Sequence, residues 1–136
     1  MAKEVFTPRG LRNNNPLNIR IGNVWLGEVH NPTDPEFEQF VTIQYGLRAA
    51  FVILRRYIRR YHHNTIATII SHWAPSTENN TQRYVDHVTK RMQMAPDVPI
   101  LYEDEDTMCQ LVQAMAIEEV GKTIGLDIIH KSYNMA

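Results

Sequence analysis

The sequence contains one cysteine among its 136 residues, Cys109, so no internal disulfide can support the fold. It has no apolar run long enough to cross a bilayer, and its first residues lack the hydrophobic segment of a signal peptide. We therefore expect a soluble chain that is made in the cytoplasm and has no membrane span. Such a chain would need a separate delivery route to act outside the cell.

Motifs for several common chemistries are also missing. No pair of cysteine or histidine residues has the spacing of a zinc site, and His62, His63, His72 and His87 are interpreted as surface residues. There is no glycine-rich phosphate loop and no nucleophile elbow. The sequence thus predicts no metal and no cofactor.

Composition is ordinary for a globular protein, with 43% hydrophobic and 21% charged residues and a net charge of −1. The charges are unevenly distributed. Residues 39–77 contain no acidic residue and five arginines, whereas residues 97–127 contain eight acidic residues and one lysine. This asymmetry indicates either an anionic ligand on one side or two halves that attract each other. The length favours one domain over residues 1–136.

Helical periodicity dominates the second two thirds of the chain. Helices are expected from Gly46 to about Tyr61, from a cap at Asn64 to Trp73, around Tyr84–Met92, and from Met108 to Gly121. The tail, residues 122–136, is ambiguous, and residues 1–12 are expected to be a leader or loop. No repeat or linker interrupts the pattern, so we predict an α+β fold that is mainly α.

The small β part is expected between the N-terminus and the first long helix. Residues 13–15 are three asparagines, which tolerate left-handed backbone and predict an ordered loop with turns. Residues 19–21, 23–27 and 37–41 alternate in the manner of short strands, and Asn31-Pro32 marks a turn between them. We predict a small β-hairpin here.

Glu119 is the most informative single residue. Apolar residues at 108, 111, 112 and 115 form one helix face, and at about 100° per residue Glu119 falls near the middle of that face. Burial and the negative end of the helix would both raise the pKa of its carboxyl group. A carboxylic acid that stays protonated near neutral pH can act as a general acid. The alternative is that the last turn frays and Glu119 reaches water.

Two other groups of side chains bear on function. Glu28, Glu38 and Glu78 lie in predicted loops or strand ends, where they could face Glu119 across a groove, although an isolated glutamate there is normally solvated. The arginines of the Arg48–Arg60 segment form the only nucleic-acid signal. A stripe of this kind is usually a solvated helix face, and the acidic second half argues against a nucleic-acid partner.

Two sequence motifs in the chain resemble those of a known protein family. Asn13-Asn14-Asn15-Pro16, and Ala74-Pro75 followed by Glu78-Asn79-Asn80-Thr81 and Tyr84, are similar to segments of phage and prophage proteins described as virion structural or lysozyme-like proteins. The resemblance covers about residues 9–121. It implies a lysozyme-like domain, peptidoglycan as a partner, and virion or secretion-machine proteins as further partners.

A second resemblance is to lytic transglycosylases and bacterial glucosaminidases of the lysozyme-like superfamily. In these enzymes a helix ending in the catalytic glutamate comes first and is followed by an asparagine-rich loop, a hairpin with a tryptophan, and a Thr-x-x-Tyr segment. Here Asn14-Asn15, Trp25 and Thr81-x-x-Tyr84 occur in that order, but the matching helix comes last and Val120 replaces the serine. The hypothesis that follows is a circularly permuted domain.

The resemblance implies peptidoglycan glycan-strand cleavage, of the lysozyme or the transglycosylase type, with Glu119 as general acid. Tyr84 would support Glu119, while Asn15, Asn18 and Trp25 would line the sugar groove. Glu28 or Glu38 would serve as base if water were the nucleophile. The same resemblance leaves open a non-catalytic virion or cell-wall-binding protein of the same shape. Delivery to the cell wall would be by holin release, in a virion or by a secretion machine.

Overall fold

The computed structural model describes residues 7–77 and 79–136, and these residues are mainly helical, as predicted. Their helices are α1 (Arg9–Arg12), α2 (Ile43–Arg60), α3 (Ile66–Trp73), α4 (Thr81–Met92), α5 (Glu105–Val120) and α6 (Leu126–Met135). The buried hydrophobic residues of these elements form one cluster. No helix in the described part of the chain combines the length and apolar character that a bilayer crossing requires.

Helix α5 is the central helix, with α1, α2, α4 and α6 packed against it. It begins where the Asp104 side chain accepts a hydrogen bond from the Thr107 amide (3.2 Å), and it ends at Gly121, whose φ of 71° is left-handed. Buried residues occur on several sides of it rather than along one narrow stripe. The helix and its stop therefore lie where the sequence predicts them.

Helix α2 also forms as predicted, but the structure differs from the sequence analysis, or adds to it, at three other places. The N-cap of α3 is Thr65 rather than Asn64, because Thr65 and Thr68 exchange side-chain-to-backbone hydrogen bonds as a capping box. The ambiguous tail contains α6, which packs on α2 and α5 and buries Ile129. The supposed leader contains α1, which contacts α5.

The region predicted as a hairpin contains two isolated antiparallel bridges, Arg20 with Phe37 and Glu28 with Phe40. Backbone hydrogen bonds join its segments, such as those from Glu38 N–H to the Ile19 carbonyl oxygen (2.9 Å) and from Val41 N–H to the Gly27 carbonyl oxygen (2.8 Å), and side chains add further hydrogen bonds. The Asn15 amide group donates to the carbonyl oxygens of Ile19 (2.9 Å) and Glu38 (3.0 Å). The segment is thus an ordered loop held by side-chain hydrogen bonds, in addition to the two bridges.

Close packing of α2 on the asparagine loop depends on Gly46. A Cβ atom at this position would overlap the carbonyl oxygen of Asn14. Glycine normally lowers helix stability relative to alanine by about 0.5–1 kcal/mol, so its presence inside α2 is explained by this contact. The same loop holds Asn18, which lies in the candidate site described below.

We expect Gly46→Ala to lower the free energy of unfolding by about 1–3 kcal/mol, because the loop must move away from α2 to admit the methyl group. Urea unfolding followed by circular dichroism measures this change. Gly22→Ala is the matched control, since nothing lies within 4 Å of a Cβ placed there. Equal stability of the two variants would contradict the packing role of Gly46.

Candidate functional site

Glu119 lies in the last turn of α5 and lines a cavity of about 560 Å³. One carboxylate oxygen, Oε1, accepts a hydrogen bond from Nδ2 of Asn18 (3.1 Å). The other, Oε2, accepts one from the Tyr84 hydroxyl (2.9 Å). The carboxyl group is therefore held at both oxygens by donors from two distant parts of the chain.

Asn18 reaches Glu119 because its backbone adopts a left-handed conformation, with a φ of 53°. Asparagine tolerates this region better than most residues. The backbone N–H of Asn18 donates to the backbone carbonyl oxygen of Asn15 (3.0 Å), and this hydrogen bond fixes the turn. Gly10 of α1 lies directly against it, since a Cβ at Gly10 would come within 2.7 Å of Asn18 Oδ1. The loop and α1 thus set the position of this donor.

Tyr84 is supplied by the first turn of α4, which begins where the Asn80 side chain accepts a hydrogen bond from the Arg83 amide (3.1 Å). The Tyr84 side chain is buried, and this burial, together with the neighbouring Glu119, raises the pKa of the phenol well above its ordinary value. The hydroxyl therefore keeps its proton and acts as a donor to Glu119.

Burial raises the pKa of Glu119 above its ordinary value, and Glu118 acts in the same direction. Hydrogen bonds from Asn18 and Tyr84, together with the neighbouring Trp73 side chain, favour the carboxylate and partly offset this rise. The net shift is upward, which increases the fraction of Glu119 that is protonated near neutral pH.

Glu118, the adjacent carboxyl group, has the opposite environment. Burial raises its pKa, but hydrogen bonds from His87 (2.8 Å) and Arg91 (2.9 Å) outweigh that effect and the net pKa is lowered. Glu118 does not line the cavity. The pKa values of these two consecutive glutamates are thus shifted in opposite directions. The shift favours the protonated acid at Glu119 and the carboxylate at Glu118.

The remaining cavity wall combines rings, amides and cationic groups, which suits a polar ligand with apolar ring faces. Its aromatic and amide residues are Phe37, Tyr57, Tyr61, Trp73, Asn18, Asn23 and Asn79. Arg20, Arg56 and His72 also line it, together with the apolar Ile19, Ile53 and Ala74. Sequence reasoning did not single out most of these residues, because they come from the loop, α2 and the end of α3.

The structure brings Asn18, Tyr84 and Glu119 together, but it places Asn15 and Trp25 elsewhere. Asn15 is fully buried, and its amide group bonds only to backbone groups of the loop. Trp25 is packed in the hydrophobic cluster. Neither residue lines the cavity that holds Glu119, so both have a structural position in the fold.

Glu28 and Glu38 form a separate carboxyl pair that does not line this cavity. Glu28 Oε1 accepts a hydrogen bond from the Trp25 amide (3.0 Å), and Glu38 is 7% exposed. Burial and the neighbouring Glu28 raise the pKa of Glu38 to about 7. Glu78, the third candidate, lies outside the described residues.

The arginines of α2 are partly engaged within the chain. The guanidinium groups of Arg55 and Arg59 lie 5.5 and 5.2 Å from the centre of the Tyr102 ring, and Arg59 also pairs with Glu103. Arg48 Nε donates to the carbonyl oxygen of Met135 (3.2 Å). Among residues 7–77 and 79–136, no group of three histidine, cysteine or acidic side chains is arranged to hold a metal ion.

Comparison with known proteins finds one informative similarity. No protein-family model matches the chain. The chain is 46% identical over 87 residues to Protein P5 of Pseudoalteromonas phage PM2, a match that covers 61% of this chain and 54% of that protein. The chain thus spans about half the length of this curated relative.

The Glu28–Glu38 pair predicts a pH-dependent stability. Because the pKa of Glu38 is raised in the folded state, the folded chain binds more protons than the unfolded chain between pH 4.5 and about 7. The free energy of unfolding should therefore fall as pH rises through this window, by an amount on the order of 2 kcal/mol.

Glu38→Gln should remove most of that fall and raise stability at pH 8, as measured by urea unfolding at pH 5 and pH 8. Glu36→Gln, which changes an exposed carboxylate of the same loop, should keep the pH dependence of the parent chain. A Glu38→Gln variant that loses as much stability between these pH values as the parent would refute the assignment.

Proposed function

We propose that this chain cleaves the glycan strand of peptidoglycan, with Glu119 as the general acid. The observation that carries the proposal is the Glu119 carboxyl group itself, which lines a cavity of about 560 Å³, has a raised pKa and is held by Asn18 and Tyr84. The cavity volume lies within the range of about 300–1,000 Å³ for ligand sites.

In the proposed reaction, protonated Glu119 gives its proton to the glycosidic oxygen as the bond from that oxygen to the anomeric carbon breaks. The sugar that keeps the anomeric carbon develops oxocarbenium character. Glu119, now a carboxylate, takes the proton of the hydroxyl group that attacks this carbon. The glutamate is thereby returned to its protonated form, and no other proton carrier is needed.

Asn18 and Tyr84 have defined tasks in this scheme. Their hydrogen bonds fix the orientation of the carboxyl group, so the acidic proton is presented to one region of the cavity. The same two donors stabilise the carboxylate that forms when the proton leaves. Burial therefore raises the pKa of Glu119, and the two hydrogen bonds lower it. Such a balance suits a group that serves first as an acid and then as a base.

The absence of a second carboxylate from the described cavity wall favours internal attack by a hydroxyl of the substrate, as in lytic transglycosylases. Glu28 and Glu38 lie beside each other away from the cavity, which weighs against either as a base for water. Hydrolysis of the lysozyme type remains the alternative within the same proposal.

The proposal includes a lysozyme-like fold in which the helix with the catalytic glutamate, α5, follows the other elements of the site instead of preceding them, and is itself followed by α6. Contact between α1 and α5, and the hydrogen bond from Asn18 to Glu119, support such a permutation because they join the two ends of the sequence at the site. The proposal places the action on the bacterial cell wall after delivery in a virion, through a holin or by a secretion machine, and the similarity to a phage protein fits a phage setting.

Two other functions from different classes have weaker support. A non-catalytic virion or wall-binding protein would use the same cavity without needing a carboxyl group of raised pKa. A nucleic-acid-binding module would use the Arg48–Arg60 segment. Arg48, Arg55 and Arg59 in that segment already make contacts with other residues of this chain. Cleavage accounts for more of the observed contacts than either alternative.

We expect the purified protein to clear a suspension of peptidoglycan sacculi, and Glu119→Gln to lower the initial clearing rate by about 10²–10⁴-fold because it cannot supply the proton. Glu103→Gln is the matched control, since it makes the same change at an exposed carboxylate that does not line the cavity, and it should retain most of the activity. Circular dichroism verifies that both variants are folded.

Mass spectrometry of the released fragments identifies the reaction. Internal attack gives fragments that end in an anhydro sugar, and hydrolysis gives reducing ends that are one water heavier. Binding to sacculi without fragment release would support the wall-binding protein instead. Equal clearing by the parent chain and Glu119→Gln would eliminate the proposed mechanism.

A further inference from the structure

The hydrogen bond between Tyr84 and Glu119 depends on how α4 and α5 are aligned. Tyr84 lies in the first turn of α4 and Glu119 in the last turn of α5, and the hydroxyl meets Oε2 at 2.9 Å. A hydrogen bond that lengthens by about 1 Å leaves its normal range. A small slide of one helix along the other would therefore separate the two groups.

Arg91 joins the same two helices at a second level. It follows Tyr84 by about two turns of α4. Its Nη1 atom donates to the carbonyl oxygen of Ala114 (3.2 Å) and to Oε2 of Glu118 (2.9 Å), and both acceptors belong to α5. Tyr84 and Arg91 thus hold α4 against α5 at two separate points.

Glu118 is an effective acceptor for this link. Its side chain is 19% exposed, and Nδ1 of His87, also on α4, lies 2.8 Å from the same Oε2 atom. Because the pKa of Glu118 is lowered, the group is a carboxylate near neutral pH, and hydrogen bonds between charged groups are stronger than neutral ones. Partial burial also reduces screening by salt. The link should therefore be stronger than an ordinary surface ion pair.

Arg91, His87 and Glu118 do not line the cavity that holds Glu119. They therefore have no direct contact with a ligand in that cavity. Any effect of Arg91 on the reaction would pass through the neighbouring groups of the site. Tyr84 is the group on α4 whose position Arg91 can fix.

We propose that Arg91 is a positioning residue, which joins α4 to Glu118 and the Ala114 carbonyl oxygen and so keeps the Tyr84 hydroxyl on Glu119. Arg91 acts here on the general acid of the proposed function, and its assignment rests on that function. The Tyr84 hydroxyl favours the carboxylate form of Glu119. Without Arg91, the carboxylate that forms during cleavage would be less stabilised.

Clearing of sacculi tests the effect on the reaction. Arg91→Gln should lower the maximal clearing rate about tenfold, because a catalytic group misplaced by 1 Å can cost up to about 10²-fold and the loss of alignment is partial. The amount of sacculi that gives half the maximal rate should stay nearly unchanged, since Arg91 does not line the cavity. In a Tyr84→Phe background the same substitution should cause little further loss.

The titration midpoint of the Glu119 carboxyl group gives a second readout, which needs no cleavage. Carbon-detected NMR measures it in the parent, Tyr84→Phe, Arg91→Gln and the double variant, which together form a double-mutant cycle. Arg91→Gln should raise the midpoint in the parent, because Glu119 loses part of its donor. The rise should be clearly smaller in Tyr84→Phe, where that donor is already absent.

Two further variants serve as rescue and control. Arg91→Lys should stay close to the parent in both readouts, because one ammonium group can donate to both oxygens. Asp86→Asn is the matched control on α4, since Asp86 accepts its hydrogen bond from Gln82 of the same helix (2.8 Å), and it should leave both readouts unchanged. Circular dichroism verifies that each variant is folded.

An unchanged or lowered midpoint in Arg91→Gln would overturn the assignment. So would equal rises with and without the Tyr84 hydroxyl, because these would indicate a through-space effect of the lost charge. A further tenfold loss of clearing in the Tyr84→Phe background would overturn it too.

The two readouts also separate Arg91 from the proposed function. A rise of the midpoint that depends on Tyr84, in a protein that releases no fragments, would support the positioning role and refute cleavage. Clearing that depends on Glu119 but is unaffected by Arg91→Gln would refute the positioning role and leave the proposed function standing.

Discussion

The carboxyl group of Glu119 joins parts of the chain that are far apart in sequence. Asn18 comes from the loop near the N-terminus and Tyr84 from the first turn of α4, and each donates to one oxygen. Burial of an unpartnered carboxylate would be costly, so these donors make its position in the wall of the cavity tolerable. The left-handed turn at Asn18 and the close contacts of Gly10 and Gly46 all serve to place the loop at this point.

Local patterns predicted much of the helical structure. Acidic residues before Thr107 and the glycine at 121 define the ends of α5, because capping depends on neighbouring residues only. The tail was ambiguous because α6 is a short helix whose stability comes from packing on α2 and α5, which no local pattern reveals. The loop before α2 alternates like a strand, but in the described residues its segments meet at isolated bridges, and the Asn15 side chain adds hydrogen bonds to the carbonyl oxygens of Ile19 and Glu38.

The candidate site was accessible to sequence reasoning only in part. Glu119 could be selected because a carboxyl group on an apolar helix face is unusual, and Tyr84 and Asn18 because the resemblance to lysozyme-like enzymes implies roles for them. The same resemblance implies roles for Asn15 and Trp25, but both pack inside the structure, because a shared motif holds structural as well as exposed residues. Arg56 belongs to a stripe of arginines, and only the tertiary structure separates it from Arg55 and Arg59.

Glycan cleavage by Glu119 requires that the cavity keep its carboxyl group protonated to higher pH than an ordinary glutamate. Carbon-detected NMR titration of the side-chain carboxyl signals, with the Glu119 signal assigned by its loss in Glu119→Gln, measures this property directly. We expect a midpoint above the ordinary value of 4.5. A midpoint at or below that value would show that Asn18 and Tyr84 hold a permanent carboxylate, and it would contradict the role of Glu119 as an acid.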